Sequence, residues 1–404
     1  MKRLLCRAAQ ATMRLASYAL PWRAPEIIRG DRPLEALARR IQSDGIANVL
    51  LVIGPNIRKK GLARPLLEAL AARGVAVYVY DGVVPNPTLQ NAEDAARVYR
   101  ENGCRAIVAF GGGSPMDCAK LAGALVARPG RTLRQMRGFL GVRAPLPPLY
   151  AIPTTAGSGS ETTLAAVVSD PATHEKYALS DPALIPTVAV LDPTLTLGLP
   201  PALTATTGMD ALCHAVEAYI GRANTRRTER EALEAVRLIF AALPRAYRDG
   251  GNLEARDHML LASHKAGVAF TRAYVGYVHA MAHAVGGVYG VAHGLANAVL
   301  LPFVLRAYGD RVARRLANLA DAAGVAKPNQ SVGEKAAAFV AAIEALNRQM
   351  NIPAHLAQIR EEDIPCLARR AAREGNVPYP APRVLLAPEL EQIYRLARGN
   401  EAEA

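Results

Sequence analysis

Six of the eight histidines in this 404-residue chain fall between residues 214 and 293. Asp210 and His214 are four apart in a helical stretch, Met209–Ile220, so they share a face. His279 and His283 repeat that spacing, and His293 follows just before Gly294. One carboxylate with several imidazoles is a donor set for a divalent transition metal such as iron or zinc. A lone helical histidine is usually a surface feature. This concentration, in an otherwise apolar helical region, points to a site. Cys213 is adjacent to His214 and points about 100° away around the helix, so it is left out. Glu217, one turn beyond His214, reads either as an acceptor for a ligand's ring N–H or as a solvated glutamate. His258 and His264 sit among polar residues and are assigned to the surface.

A second kind of chemistry is written in glycines. Ala106–Phe110 runs straight into Gly111-Gly112-Gly113-Ser114-Pro115-Met116-Asp117. A strand ends, the glycines turn, and a helix begins with Pro115 in its first turn, where its missing N–H costs nothing. Glycines let backbone N–H groups approach a ligand, and the helix dipole favours a phosphate there. The pattern is neither G-x-G-x-x-G nor a Walker loop. A triple glycine alone is as often a tight turn. Its place at the carboxyl end of a strand raises the odds of a ligand. Pro153-Thr154-Thr155-Ala156-Gly157-Ser158-Gly159-Ser160-Glu161 supplies hydroxyls and flexible backbone after the next strand. Two such loops at successive strand ends favour a dinucleotide site over a pair of ordinary linkers.

These residues need a particular frame. Asn48–Ile53, Val75–Tyr80, Ala106–Phe110, Leu149–Ile152 and Val188–Leu191 are short apolar runs. Helical patterns at Leu62–Arg73, Leu89–Asn102 and Pro115–Ala127 separate the first four. Apolar strands alternating with helices predict an α/β domain with a parallel sheet covered on both faces. After Asp192 strand signals nearly vanish, and Arg227–Phe240, Glu254–Phe270 and Gly333–Gln349 have helical periodicity. The expectation is an α/β dinucleotide-binding domain over 26–197 and an all-α metal-binding domain over 198–404, preceded by an extension over 1–25. In that extension Arg3, Arg7, Gln10, Arg14 and Ser17 form one stripe, and Leu5, Ala9, Thr12, Ala16 and Leu20 the opposite one. It reads as a basic amphipathic helix stopped at Pro21. Docking on the protein's own body or a sister subunit is preferred to a transit peptide or a membrane-surface helix.

Composition narrows the classes. Apolar residues make up 51% and charged residues 21%, which suits a globular chain. Basic residues exceed acidic ones by 13 but are scattered, without interleaved aromatics, so no nucleic-acid partner is expected. Such a surface would help collect an anionic cofactor. The five cysteines are widely spaced with no C-x-x-C, which points to a reducing compartment and a cytoplasmic protein.

With these residues in view, the chain resembles the iron-containing (group III) alcohol dehydrogenases from about residue 25 onward. The motifs are Pro85-Asn86-Pro87-Thr88, GGGSPMDCAK at 111–120, AIPTTAGSGSE at 151–161, GMDALCHAVEAY at 208–219 and GYVHAMAHAVGGVYGVAHGLAN at 276–297. The resemblance implies metal ligands at Asp210, His214, His279 and His293, in an active site between the two domains. His283 would line that site without being a principal ligand; it and the cofactor ribose hydroxyls are the candidates for carrying the catalytic proton to water. Gly112, Gly113 and Ser114 would form the pyrophosphate loop; Thr154, Thr155 and Ser158 the second cofactor loop; Lys176 would reach a ribose. Asn86 and Asp117, inside two of the motifs, are counted with the cofactor site. Where many members carry an aspartate for the adenosine ribose, this chain has Gly54, with Arg58, Lys59 and Lys60 nearby. An acid there repels a 2′-phosphate, so its absence opens the site to NADP as well as NAD.

The implied reaction passes a hydride between a small neutral alcohol or aldehyde and NAD(P), with Fe²⁺, or alternatively Zn²⁺, polarising the oxygen. A homo-oligomer is expected. One rival is a zinc enzyme of the same fold, resembling glycerol dehydrogenases or dehydroquinate synthases. Another is a binding or assembly protein recruited through the basic N-terminal helix.

Overall fold

The computed structural model describes residues 2–17, 20, 22–173 and 175–399. Pro21, the expected stop of the first helix, lies outside the described residues, as do the side chains of Ala16 and Ser17. The chain divides into two compact units, Pro21–Leu197 and a second made of Met1–Leu20 with Gly198–Ala404. Among the described residues no helix is long and apolar enough to cross a membrane.

After helix α1 (Lys2–Ser17), the described residues of the Pro21–Leu197 unit form nine strands: β1 (Glu26–Arg29), β2 (Asn48–Val52), β3 (Ala76–Tyr80), β4 (Ala106–Gly111), β5 (Gly138–Phe139), β6 (Leu149–Pro153), β7 (Ala165–Asp170), β8 (Glu175–Ser180) and β9 (Val188–Leu191). Six form a parallel sheet in the order β1-β9-β6-β4-β2-β3. Its helices are α2 (Pro33–Ser43), α3 (Pro55–Lys59), α4 (Arg64–Ala71), α5 (Leu89–Glu101) and α6 (Gly113–Ala127). Strand side chains alternate between two cores. Leu50, Val52, Ile107 and Ala109 pack with α5 and α6; Val49, Leu51, Val108 and Phe110 pack with α2 and α4. That two-sided burial is why these strands read as unbroken apolar runs. Two features went unpredicted: β1, which adds to the sheet edge beside β9, and a small second sheet, β5-β8-β7, built on an antiparallel β7–β8 hairpin.

The second unit is helical: α7 (Pro201–Ile220), α8 (Arg226–Arg248), α9 (Leu253–Ala273), α10 (Tyr277–Tyr289), α11 (His293–Tyr308), α12 (Ala313–Ala322), α13 (Val332–Gln349), α14 (Ile364–Gly375) and α15 (Ala387–Arg398). Helix α7 is buried along most of its length, with Met209, Leu212, Cys213 and Val216 inaccessible, so its polar residues are held inside the bundle. Helix α1 packs on this unit by its polar stripe. Arg7 donates to the Ala381 and Pro382 carbonyls, Gln10 to those of Asn376 and Tyr379, and Arg3 pairs with Glu389 at 2.6 Å. Leu4, Leu5 and Leu15 face outward.

Candidate functional site

In the sheet unit, chemistry gathers where β4 runs into α6. Gly111 has a φ of +152°, and a Cβ there would lie 2.6 Å from the Pro115 ring, so this turn needs glycine. Gly112 caps α6 and Gly113 begins it, leaving the first N–H groups of a long helix without intrahelical acceptors. The second loop folds against the first. A Cβ on Gly112 would stand 3.3 Å from Thr155 Oγ1, one on Gly113 3.5 Å from Ser158 Oγ, and the Thr154 N–H donates to the Gly111 carbonyl at 3.0 Å. Ser114 Oγ accepts from the Asn86 N–H at 3.3 Å, and Lys176 Nζ donates to Asn86 Oδ1 at 2.7 Å. Gly112, Gly113, Ser114, Thr154, Thr155, Ser158, Asn86 and Lys176 are therefore linked around one strand end.

Asp117 has a different setting. Its carboxylate accepts from Ser160 Oγ at 2.9 Å and the Val167 N–H at 3.1 Å, tying α6 to β7. Burial pushes it above the usual carboxylate range, against the opposing pull of Lys120. Lys120, which the sequence did not single out, is fully buried. Its ammonium donates to the carbonyls of Ser160 (2.7 Å), Thr163 (3.0 Å) and Ala165 (2.9 Å) and to the Ser160 and Thr163 hydroxyls. Burial drops it to about 8. It fastens the tail of the second loop to the helix that begins with the first. Gly54 ends the β2 turn and caps α3, with extended backbone at φ −93° and the nearest foreign atom to a Cβ, the Val83 carbonyl oxygen, at 3.4 Å. Of the nearby bases, Arg58 pairs with Asp81 at 3.2 Å on the surface.

In the helical unit, α7, α10 and the start of α11 converge. A Cβ on Gly294 would lie 2.3 Å from the Thr206 carbonyl oxygen, so only glycine lets α11 start this close to α7 and bring His293 beside Asp210. Asp210, His279 and His293 each point one ligand atom into a space where all three lie within 4.8 Å of one another. His293 Nε2 is 3.4 Å and His279 Nε2 3.9 Å from Asp210 Oδ1. His214 lies beside this trio and not in it. Its ring stacks on His279 at 4.5 Å and on Phe270 at 4.1 Å. Glu217 is not a solvated glutamate: it is buried, its Oε2 sits 2.6 Å from His279 Nδ1, and its Oε1 accepts the Val278 N–H at 2.8 Å. Burial pushes Glu217 up to about 7, against those backbone donors. Burial, and then repulsion from His214, His293 and His283, holds His279 well below its usual value. His279 thus turns Nδ1 to Glu217 and Nε2 to Asp210 and His293, the arrangement in which Glu217 accepts from Nδ1–H and leaves Nε2 for a ligand.

Asn297, quoted in a motif but given no role from sequence, sits at the focus. Its Nδ2 donates to Asp210 Oδ1 at 2.7 Å and lies 3.2 Å from His279 Nε2 and 3.1 Å from His293 Nε2. Two amide hydrogens face three acceptors, while its own Oδ1 is buried with no hydrogen-bond partner. A convergent set of one carboxylate and two imidazoles fits a divalent metal.

His283 is one turn on from His279. Its ring stacks on His293 at 5.0 Å, its side chain is 43% exposed, and Nδ1 lies 2.6 Å from Glu374 Oε1. His264 is buried in α9, contrary to the surface assignment, because that helix is covered on the side where it packs on α7 and α8. Cys213 is buried away from the trio, as its position on the helix requires.

Comparison with known proteins follows from this geometry. Residues 24–193 match the family profile described as iron-containing alcohol dehydrogenase, and 204–398 match the C-terminal profile of the same family. The chain is 40% identical over 372 residues to 1,3-propanediol dehydrogenase of Klebsiella pneumoniae, covering 91% of this chain and 96% of that one. The solved 1,3-propanediol oxidoreductase superposes with a TM-score of 0.90 at 39% identity, over 94% of this chain and 99% of its own. Sulfoacetaldehyde reductase from Bifidobacterium kashiwanohense, solved with NAD⁺, gives 0.85 at 28% identity, over 95% and 99%.

Proposed function

The chain belongs to the iron-containing alcohol dehydrogenase family, and on that premise we propose that it interconverts a small neutral alcohol and its aldehyde. It is an oxidoreductase of CH–OH groups. Asp210, His279 and His293 would hold iron, with His214 as a fourth ligand by its matching motif position and its stacking on His279. The observation that carries this reading is the set of three acceptors converging on the Asn297 amide.

When bound, the metal supplies Lewis acidity at the substrate oxygen, and the dinucleotide supplies the hydride acceptor or donor. The chain's own residues do the rest. His279 would offer Nε2 because Glu217 accepts a hydrogen bond from its Nδ1–H, which fixes the ring's orientation. The N–H groups opening α6 at Gly112, Gly113 and Ser114 would hold the anionic pyrophosphate, flanked by Thr154, Thr155 and Ser158. Lys176, bonded to Asn86, would reach a ribose. His283, half-exposed and with Nε2 available, would carry the substrate proton to water. NADP should be accepted beside NAD because Gly54 presents neither a hydrogen-bond acceptor nor a charge to the ribose.

The test is oxidation of a panel of neutral alcohols by the purified protein, with NAD⁺ and NADP⁺, before and after Fe²⁺ loading. The reading requires turnover that scales with iron content. An iron-replete protein inactive on every alcohol and aldehyde would reject it.

A further inference from the structure

We propose that Glu374 is a positioning residue for His283, and that helix α1 serves the reaction by clamping the turn from which Glu374 is held. This rests on His283 carrying the substrate proton, as proposed above. An imidazole with 43% of its side chain exposed is free to rotate and to exchange tautomers unless something restrains it. Glu374, on α14, restrains it with Oε1 at 2.6 Å from His283 Nδ1. A carboxylate there fixes the ring's orientation and selects the tautomer protonated on Nδ1, which turns Nε2 away from Glu374.

The carboxylate is itself fixed. The Tyr379 hydroxyl donates to the same Oε1 at 2.7 Å. Tyr379 lies on the turn after α14, and that turn is bound by two side chains of α1. Gln10 Nε2 donates to the Asn376 and Tyr379 carbonyls, both at 2.8 Å. The Arg7 guanidinium donates to the Ala381 and Pro382 carbonyls at 2.8 and 2.7 Å. An unbroken polar line thus runs from α1 through Tyr379 and Glu374 to His283. Helix α1 lies before residue 24, outside the stretch that matches the family profile. The clamp gives the basic stripe Arg3-Arg7-Gln10 a use that neither a membrane nor a nucleic acid is needed to explain.

The experiment compares steady-state rates of the iron-loaded enzyme carrying Glu374→Ala, Tyr379→Phe, Arg7→Ala/Gln10→Ala, His283→Ala, and each of the first three combined with His283→Ala. Glu374→Ala is expected to lower kcat by about ten- to a hundredfold, the usual effect of losing an outer partner of a functional histidine. Iron content and the KM for the dinucleotide should hold. Tyr379→Phe and Arg7→Ala/Gln10→Ala should cost a few-fold in the same direction, and Glu374→Gln, whose amide oxygen still accepts from Nδ1–H, should recover part of the loss. In the His283→Ala background none of these changes should matter further. A readout independent of turnover is the ¹⁵N spectrum of labelled histidine in the zinc-loaded protein. It should show His283 protonated on Nδ1 in the wild type and a tautomer mixture in Glu374→Ala. If the Glu374 losses persist undiminished without His283, or the tautomer does not change, positioning is refuted while the proton-carrier reading stands. If His283→Ala itself turns over at the wild-type rate, the proton-carrier reading falls and the proposal with it. If Arg7→Ala/Gln10→Ala leaves both rate and spectrum untouched, the clamp is refuted. Should Glu374→Ala fail to fold, Tyr379→Phe, which removes one hydroxyl, decides the matter alone.

Discussion

Around Asn297, three acceptor atoms share two amide hydrogens, and the chemistry assigned to this protein follows from that shortage. If a metal relieves it, removing one acceptor should remove the metal. His279→Ala is expected to empty the site and abolish turnover while the far-ultraviolet circular dichroism of the helical unit is retained. Full iron occupancy in that variant, by elemental analysis, would contradict the ligand assignment. The second decision taken by one residue is at Gly54. Its φ of −93° is ordinary for any side chain, and a Cβ would meet only the Val83 carbonyl oxygen at 3.4 Å, so the backbone accepts the Cβ of Gly54→Asp. The new carboxylate would accept from ribose hydroxyls and repel a 2′-phosphate. The ratio of kcat/KM for NADPH over NADH should fall by roughly ten- to a thousandfold, a few kcal/mol of like-charge juxtaposition and lost solvation. A wild type that already prefers NADH strongly, with a ratio this substitution leaves alone, would place Gly54 away from the ribose.

At the scale of elements, the phosphate-binding reading belongs to the β4–α6 junction as a unit. Gly112→Val pushes branched carbon toward Thr155, whose Oγ1 would already be 3.3 Å from a Cβ. It should weaken dinucleotide binding by several kcal/mol with iron content unchanged; isothermal titration showing wild-type affinity would reduce the loop to a turn. Lys120 joins the same helix to the second loop, and its burial has a pH signature. Folded, it titrates near 8; unfolded, near 10.5. Between those values the unfolded chain binds more protons, so stability relative to Lys120→Met should rise with pH, by up to about 3 kcal/mol, and level off above the upper value. Denaturant unfolding at pH 7.5 and 10 checks the slope; a constant difference would mean that the amine is not buried as charged. How far such elements show in sequence depends on where they are buried. Strands β2, β4, β6 and β9 are covered on both faces and announce themselves as apolar runs. Strand β1 is four residues at an edge, mostly exposed, with charges at both ends, and carries no such signal. The β7–β8 hairpin alternates buried and half-buried positions, a pattern diluted by Ser169, Asp170 and Lys176. The spacing of Asp210 with His214 and of His279 with His283 was readable because each pair lies on one helix face. Asn297 was not, since an asparagine four residues after a histidine has no chemistry until α7 faces it. Glu374 and Lys120 met their partners only through folding, 91 and 40 residues away.

The whole molecule splits its labour between two units that should answer to different ligands. Iron binds only groups between residues 210 and 293 in this reading, and the dinucleotide phosphates only groups within Pro21–Leu197. A ligand at a hundred times its Kd stabilises the folded form by about 2.7 kcal/mol, a rise in melting temperature of roughly 5–10 °C for a unit of about 200 residues. Calorimetry should show iron raising the transition of the helical unit, an effect lost in His279→Ala, and NADH raising that of the sheet unit, an effect lost in Gly112→Val. A single shift common to both ligands and both variants would deny the division. The excess of 13 basic groups suits the capture of an anionic dinucleotide, an attraction that salt should weaken. The seat of helix α1 has a consequence in time. Its acceptors lie between Asn376 and Glu389, so during synthesis α1 has nothing to hold until the chain has grown by 366 further residues. At about 5–20 residues per second that is a wait of some tens of seconds. For that interval the nascent chain trails a free cationic helix with leucines along one side, open to any chaperone or acidic surface that meets it. A captor slow to let go would leave an enzyme loaded with metal, yet slack at His283.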